Sequence, residues 1–520
     1  MKNYFLLLTL LCLSLSARAH DAEVDGIFYN LNAANKTATV TFKGYFSATY
    51  NNEYSGDVVI PETVTYNGIT YSVTSLADGC FQYCSSLTAI TIPNSVTSVG
   101  SYCFTDCSSL TAITIPNSVT SLGYECFRDC SSLTAITIPN SVKSLGDACF
   151  RDCSSLPAIT IPNSVKSLGD DCFYSCSSLT SITIPNSVTS LGEFCFYGCS
   201  RLTSITIPNS VTSLGYACFG YCSSLTAITI PNSVKSLGDD CFRDCSSLTA
   251  ITIPNSVTSL GTDCFNGCRS LERMVVDAAN PVYDSREECN AIIHTSTNKL
   301  VAGCKNSQIP NSVTSLGLNC FFGCSSLTAI TIPNSVKSLG DYCFWGCSSL
   351  TAITIPNSVT SLGESCFADC SSLTAITIPN SVTSLGWGCF YGCSSLTAIT
   401  IPNSVKSLEK WCFRDCSSLT AIYMLPSTPP STGYGIFENT PLETVYVVDE
   451  DAKTAYQAQA PWNEYEIVVM PTGIEEVGTD KTAPTIVGYY GLNGKLINGK
   501  QRGVVIVRYS DGTTRKVLVK

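Results

Sequence analysis

The chain has 520 residues, a formal net charge of −11, only 13% charged residues and two histidines. So sparsely charged and acidic a chain lacks the basic footprint that a polyanion needs, which argues against nucleic-acid binding. Length alone would predict three or four globular domains, but a repeat of 23 residues overrides that expectation and makes most of the chain one stack.

Residues 1–19 read as a secretory signal, with the charge of Lys2, the apolar run Phe5–Leu15 and an A-x-A cleavage site at Ala17-Arg18-Ala19. The run is shorter than a membrane-spanning helix requires. The mature chain is therefore expected to begin near His20, exported and not membrane-spanning. Residues 20–60 alternate and are rich in turns, as in Gly26-Ile-Phe-Tyr-Asn30, Thr37-Ala-Thr-Val-Thr-Phe42 and Asp57-Val-Val-Ile-Pro61. They predict an N-terminal β cap over the first turn of the stack, whose end would otherwise expose core and an unpaired strand edge.

Residues 61–422 carry the repeat. An early turn at Tyr66-Asn67-Gly68 separates Ile60-Pro61 from Val73-Thr-Ser-Leu76, and Cys107–Ser121 then gives the full motif CSSLTAITIPNSVTS. A Cys-Phe pair followed by a second cysteine marks each turn, nine times from Cys80 to Cys264 and five times from Cys320 to Cys412. Within one specimen, Ile113 and Ile115 share one face of a strand, Pro116-Asn117 ends it, and Val119 and Leu122 point back inward. Cys126, Phe127 and Cys130 are predicted to form a short helical or 3-10 segment facing the same core. With Leu110 that makes eight inward apolar residues per 23, too few for a lone repeat to fold, so stacking must supply the rest.

The succession L-x-x-I-x-I, P-N-S-V-T-S-L-G and C-F-x-x-C resembles the BspA-type leucine-rich repeat of Bacteroidetes surface proteins, over roughly residues 26–470. The likeness includes the entry segment Tyr54–Val73 and an irregular unit, Asn280-Pro-Val-Tyr-Asp-Ser-Arg286 with Cys289-Asn-Ala-Ile-Ile293. It implies an α/β repeat solenoid of leucine-rich type, β-rich, with parallel strands stacked at the 23-residue period, short helical or 3-10 turns, and small β modules at both ends. Two departures stand out. Ser118 holds the place where the commoner leucine-rich pattern carries Asn, and cysteine stands where the family usually has Ala before the Phe.

From 271 to 310 the period breaks, because Cys264 and Cys320 lie two repeats plus ten residues apart. This stretch, with Cys289, His294 and Cys304, is read as an irregular turn with a protruding loop. In Leu156-Pro157 proline replaces the usual Thr, which places it at a strand's first residue, where no ladder donor is needed. Residues 423–470 read as a C-terminal capping repeat, with a last strand at Leu442–Val448 and a helix over Asp449–Ala460. A polar linker, 471–485, leads to residues 486–520, whose Tyr489-Tyr-Gly-Leu-Asn-Gly494 and Gly503-Val-Val-Ile-Val507 are similar to the C-terminal sorting domain of type IX secretion.

Little in the chain could carry catalysis. The two histidines are His20 and His294, no hydrolase, metalloprotease, phosphate-loop or dinucleotide motif occurs, and carboxylates such as Asp147, Asp170, Asp171, Asp239 and Asp240 follow the period as a solvated outer face. No catalytic residue, metal or cofactor is expected. The cysteine ladders are read first as small buried hydrophobes, with disulfides between turns and metal binding as alternatives. Repeats differ mainly in the two residues before Cys-Phe and the two between Phe and the second Cys. There stand Tyr102, Tyr124, Tyr174, Phe194, Tyr197, Tyr216, Tyr221, Tyr342, Trp345, Trp387, Tyr391 and Trp411. They make a candidate ligand-binding edge, since exposed aromatics favour interfaces with protein or sugar. The family resemblance implies a secreted or surface-attached adhesin, binding extracellular proteins or glycans of a host or of neighbouring bacteria. The near-identical repeats also fit a structural spacer without a specific ligand.

Overall fold

The structure is a computed structural model and describes residues 20–44, 52–470 and the strand segments 486–490, 496–497, 503–509 and 514–519. The secretory-signal and linker readings lie outside those residues. The chain divides into two compact units, residues 1–225 and 226–520, and each is a parallel β-solenoid with the 23-residue period.

In the first unit three antiparallel strands, Ala22–Val24, Ile27–Asn32 and Thr37–Thr41, precede the stack. The last of them pairs in parallel with Ile69–Leu76, which opens a ladder continued by Ser98–Val99, Ser121–Leu122 and Ser144–Leu145. Thr63–Tyr66 folds back on Ile69–Leu76 through Asn67 and Gly68, both with positive φ, the geometry of a tight hairpin turn. A second ladder starts at Gly56–Val59 and runs through Leu87–Thr91, Ala112–Thr114 and Ala135–Thr137. All eight residues assigned inward in the specimen turn, Leu110, Ile113, Ile115, Val119, Leu122, Cys126, Phe127 and Cys130, are buried. The alternation of Ala-Ile-Thr explains why. Successive side chains on a strand point to opposite faces, so only Ile113 of the three meets the core. Pro157 stands one residue ahead of the strand Ala158–Thr160, and its carbonyl still accepts from the Thr180 N–H at 3.0 Å.

The cysteine segment forms a third ladder. Its residues make successive 3-10-type turns, with Thr105 N–H donating to Tyr102 O and Cys107 N–H to Phe104 O. The intervening N–H groups reach the next turn: Tyr102 to Tyr124 O at 2.7 Å, Phe104 to Cys126 O at 2.8 Å, Asp106 to Arg128 O at 2.8 Å. Left-handed residues at Tyr102 (φ 57°) and Asp106 (φ 61°) produce the alternation and keep the turns from joining into a helix. Between the ladders the phenylalanine rings stack in register, for example Phe127 on Phe150 at 5.5 Å with planes 3° apart. Tyr54 caps that column at 4.6 Å from Phe81, its hydroxyl donating to Thr41 O and accepting from Phe28 N–H.

The second unit has ladders of the same kinds within itself, for example Ser315–Leu316, Ser338–Leu339 and Ser361–Leu362, and Ala398–Ile401, Ala421–Met424 and Thr444–Val447. It ends in a helix, Glu450–Gln457, whose first turn is capped by the Asp449 carboxylate accepting from Ala452 N–H at 2.8 Å. Glu466–Val469 adds a final strand, and Tyr456 and Trp462 are fully buried beside it. The irregular unit is a packed insert rather than a protruding loop. Tyr283–Asp284, Ala291–His294 and Lys299–Gly303 are antiparallel, and the last pairs in parallel with Ser315–Leu316. The apolar run Ala291-Ile-Ile293 with Leu300 is wholly buried, which is the reason the insert turns into the stack. Among the described tail segments, Leu496–Ile497, Ile486–Tyr490, Gly503–Tyr509 and Thr514–Val519 form, in that order, one antiparallel sheet.

Candidate binding surface

The cysteine turns decide which side chains face outward. In every turn two residues hold left-handed backbone, the one before the first cysteine and the one before the second. The second of these is mostly Asp, Gly, Ser or Asn, types that tolerate this conformation: Asp129, Asp152, Ser175, Asp369, Gly392 and Asn439. The first is far more varied. It includes Tyr102 (φ 57°), Phe194 (φ 52°), Tyr342 (φ 54°) and Trp411 (φ 60°), whereas Gly388 and Gly435 hold the same place without a side chain. A bulky residue there costs on the order of 1 kcal/mol.

The twelve aromatic residues singled out from the sequence are all exposed or half-buried. Tyr102, Tyr124, Tyr216 and Tyr221 are the most open, at 38–41%. The structure groups them rather than spreading them evenly. In the first unit Tyr102 meets Tyr124 edge to face at 5.2 Å. Tyr174, Phe194, Tyr197, Tyr216 and Tyr221 form one run, with Tyr174 stacked on Tyr197 at 4.9 Å and Phe194 against Tyr216 at 4.8 Å. In the second unit Tyr342 lies beside Trp345 at 5.5 Å, and Trp387 beside Trp411 at 5.6 Å. Tyr391 has no aromatic neighbour of this set; its hydroxyl is bound to Asp415, which pushes the phenol up. The Tyr124 phenol is pushed up to about 12 by its hydrogen bond to Glu125.

Cations border the rings: Arg151 over Tyr174 at 4.2 Å, and Lys410 and Arg414 over Trp411 at 3.9 and 4.9 Å. Tyr83 and Phe322 were missed by the list, although both occupy its register positions; Phe322 meets Trp345 edge to face at 4.7 Å. The basic neighbours carried no sequence signal, because Arg151 lies one turn away from the ring it covers. The periodic carboxylates do more than face solvent. Asp170 Oδ1 accepts from Glu193 N–H at 2.8 Å and Asp239 Oδ1 from Thr262 N–H at 2.7 Å, each tying one turn to the next.

The cysteine ladders are interior. All thirty described cysteines are free thiols, and only Cys324 is not fully buried. The second cysteine of a turn donates its S–H to the Phe carbonyl of the preceding turn, as Cys153 does to Phe127 O at 3.1 Å. First cysteines approach one another, Cys80 and Cys103 at 3.4 Å. Among the described residues no group of three His, Cys, Asp or Glu side chains is placed to hold a metal ion. The Ser118 departure also has a structural role, since the equivalent Ser187 and Ser358 hydroxyls donate to Val165 O and Val336 O of the preceding turns.

The curated proteins include none that matches the chain. Among solved structures, a leucine-rich repeat protein from Bacteroides ovatus is similar at a TM-score of 0.55 and 30% identity, covering 78% of this chain and 100% of its own. A leucine rich cell surface protein from Faecalibacterium prausnitzii gives a TM-score of 0.46 and 25% identity over 87% of this chain and 98% of its own. The model of the BspA type leucine rich repeat region matches residues 74–192, 166–284, 299–420 and 343–458. These stretches cover well over half of the sequence, and the chain belongs to the BspA-type leucine-rich repeat family.

Proposed function

We propose that the protein is a non-catalytic, exported surface protein that binds extracellular proteins or glycans of a host or of neighbouring bacteria through its aromatic edge. The observation that carries this reading is the left-handed aromatic set. Tyr102, Phe194, Tyr221, Tyr342 and Trp411 hold a backbone conformation that glycine adopts at lower cost, yet keep large rings at the surface. Strain kept at an exposed position favours a role for the side chain outside the fold. Clustering of the rings with Arg151, Lys410 and Arg414 supports amphipathic contact with protein or sugar, and a repeating edge supports avidity from weak contacts. Among the described residues no helix is long and apolar enough to cross a membrane. Attachment is proposed to follow export by residues 1–19 and sorting through residues 486–520.

The test is binding of the mature chain to an array of matrix proteins, mucins and glycans, beside a variant carrying Tyr102→Gly, Tyr342→Gly and Trp411→Gly. Glycine removes a backbone strain of about 1 kcal/mol per site while the lost ring contacts cost about 0.5–1.5 kcal/mol, so stability changes by less than about 1 kcal/mol at each site. Saturable binding by the wild type that disappears in the variant is the expected result. Binding that survives in the variant removes the edge from the function. No binding by the wild type would leave the chain as a structural spacer.

A further inference from the structure

We infer that the irregular unit builds a small-molecule site for a carboxylated sugar residue, a site that borders the aromatic edge at Phe322 and is otherwise built from other residues. It goes beyond the reading above and does not rest on it. Where the ladder of Ser-Leu rungs breaks, a cavity of about 350 Å³ opens between the turn 260–266 and the turn 317–322, with the insert as its third wall. That volume lies within the range of about 300–1,000 Å³ common to small-ligand pockets. In the regular turns that follow, each Ser-Leu rung is covered by the next at the 23-residue spacing, as Leu316 is by Leu339 and Leu339 by Leu362.

The wall chemistry is specific. Asp263 and Asn319 face each other across the missing turns, the Asn319 side-chain N–H donating to Asp263 Oδ1 at 2.6 Å. Together they offer a carboxylate and an amide, the groups that pair with sugar hydroxyls. Tyr283, Phe322 and Leu318 supply the apolar part of the lining, and Leu318 is 44% exposed. Tyr283 is held in place by accepting from the Leu260 N–H at 3.1 Å and by the edge-to-face ring of His294 at 5.7 Å.

Besides the Asp263 carboxylate, which accepts from the Asn319 amide, the cavity is lined by basic side chains. His294 and Lys299 are opposite one another on the two strands of the insert, so their side chains share a face, and both line the cavity. Lys299 is exposed and has no ion pair among the described residues. An unpaired ammonium beside hydroxyl-binding and apolar groups fits a sugar that carries a carboxylate. Such a carboxylate could belong to a sialic acid or to a uronic acid, and the structure gives the two the same recognition chemistry.

Calorimetric titration of the full mature chain with 3′-sialyllactose, a glucuronic-acid-terminated oligosaccharide and neutral lactose tests the site. One acidic sugar should bind, with lactose weaker by about tenfold or more, the value of one charged hydrogen bond. Which of the two binds identifies the source of the carboxylate. Lys299→Ala should weaken binding by about tenfold and Lys299→Glu should abolish it, with the thermal midpoint unchanged because the side chain is exposed. His294→Gln, made separately, should weaken binding severalfold, and a Trp387→Ala, Trp411→Ala chain should bind the sugar as the wild type does. Equal affinity for lactose, wild-type affinity in both Lys299 variants, or no binding of either acidic sugar at millimolar concentration would overturn the inference. Loss of array binding in the edge variant leaves it untouched, so the two proposals fail separately.

Discussion

The regular turns after Pro310 and the insert before it bury their backbone in different ways. In the regular turns each N–H of the cysteine segment that leaves its own turn finds a carbonyl in the next, as Phe344 N–H finds Cys366 O at 2.8 Å. In the insert, side chains take over that role. Asn280 donates from its amide to Pro254 O and Val257 O and accepts from Val282 and Tyr283 N–H; Ser285 Oγ accepts from Val276 N–H; Tyr283 Oη accepts from Leu260 N–H. The Phe321 ring, which a phenylalanine of the preceding turn would cover, instead faces Gly303, where a Cβ would stand 2.2 Å from the ring. Repetition lets every backbone group be met by a copy of itself. Where repetition stops, specific side chains must do it, and those are also the places where a cavity with varied chemistry can form.

The largest expected effect is collective and separates the ladder thiols from the rest of the protein. Burial pushes Cys84, Cys264 and Cys416 up to about 12, while the same thiols in an unfolded chain ionise near 8.5. The folded state therefore keeps protons that the unfolded state releases. Stability is fully present below about pH 8.5 and falls between there and about pH 12, by about 1.4 kcal/mol per pH unit for each thiol in the unit that unfolds. Chemical denaturation from pH 7 to 11 checks this; a flat profile would show that the thiols are not protonated and buried together.

Next in size is the core of the regular turns. Phe367 stacks on Phe344 at 5.5 Å and on Phe390 at 5.7 Å, and is fully buried. Phe367→Ala should cost about 3–5 kcal/mol, felt mainly by adjacent turns, since each repeat contacts only its neighbours. Hydrogen exchange should show protection lost around residues 344–390 and kept around 283–303. Loss of protection in both regions would mean that the insert and the regular turns unfold as one.

The smallest effect concerns the insert. Tyr283→Phe keeps the ring but leaves the Leu260 N–H without its acceptor, at about 1–3 kcal/mol. A thermal midpoint equal to the wild type would show that water replaces the hydroxyl there and that side-chain substitution for ladder bonds is not needed.

Much of the fold was legible because it is written many times. Leu110, Ile113, Ile115, Val119 and Leu122 could be assigned inward from spacing alone, and the same pattern in fourteen cysteine-marked turns made each assignment support the others. The outward placement of the aromatic positions followed from the same register. Three features were not legible. The insert, occurring once, offered no repetition to average over, and its buried Ala291-Ile-Ile293 run was read as part of a loop. The alternation of left-handed residues was hidden because the position before the first cysteine is filled by Tyr, Glu, Ala, Asp, Phe and Trp alike, and backbone sign there is imposed by the turns stacked on either side. The cavity and its facing pair Asp263 and Asn319 depend on two turns fifty-six residues apart becoming neighbours. Sequence by itself determined the period, the inward face and the family, since these depend on local spacing repeated along the chain. Tertiary structure decided which backbone groups lose a partner at the break and which side chains replace them, because that depends on contacts between segments that no local pattern relates.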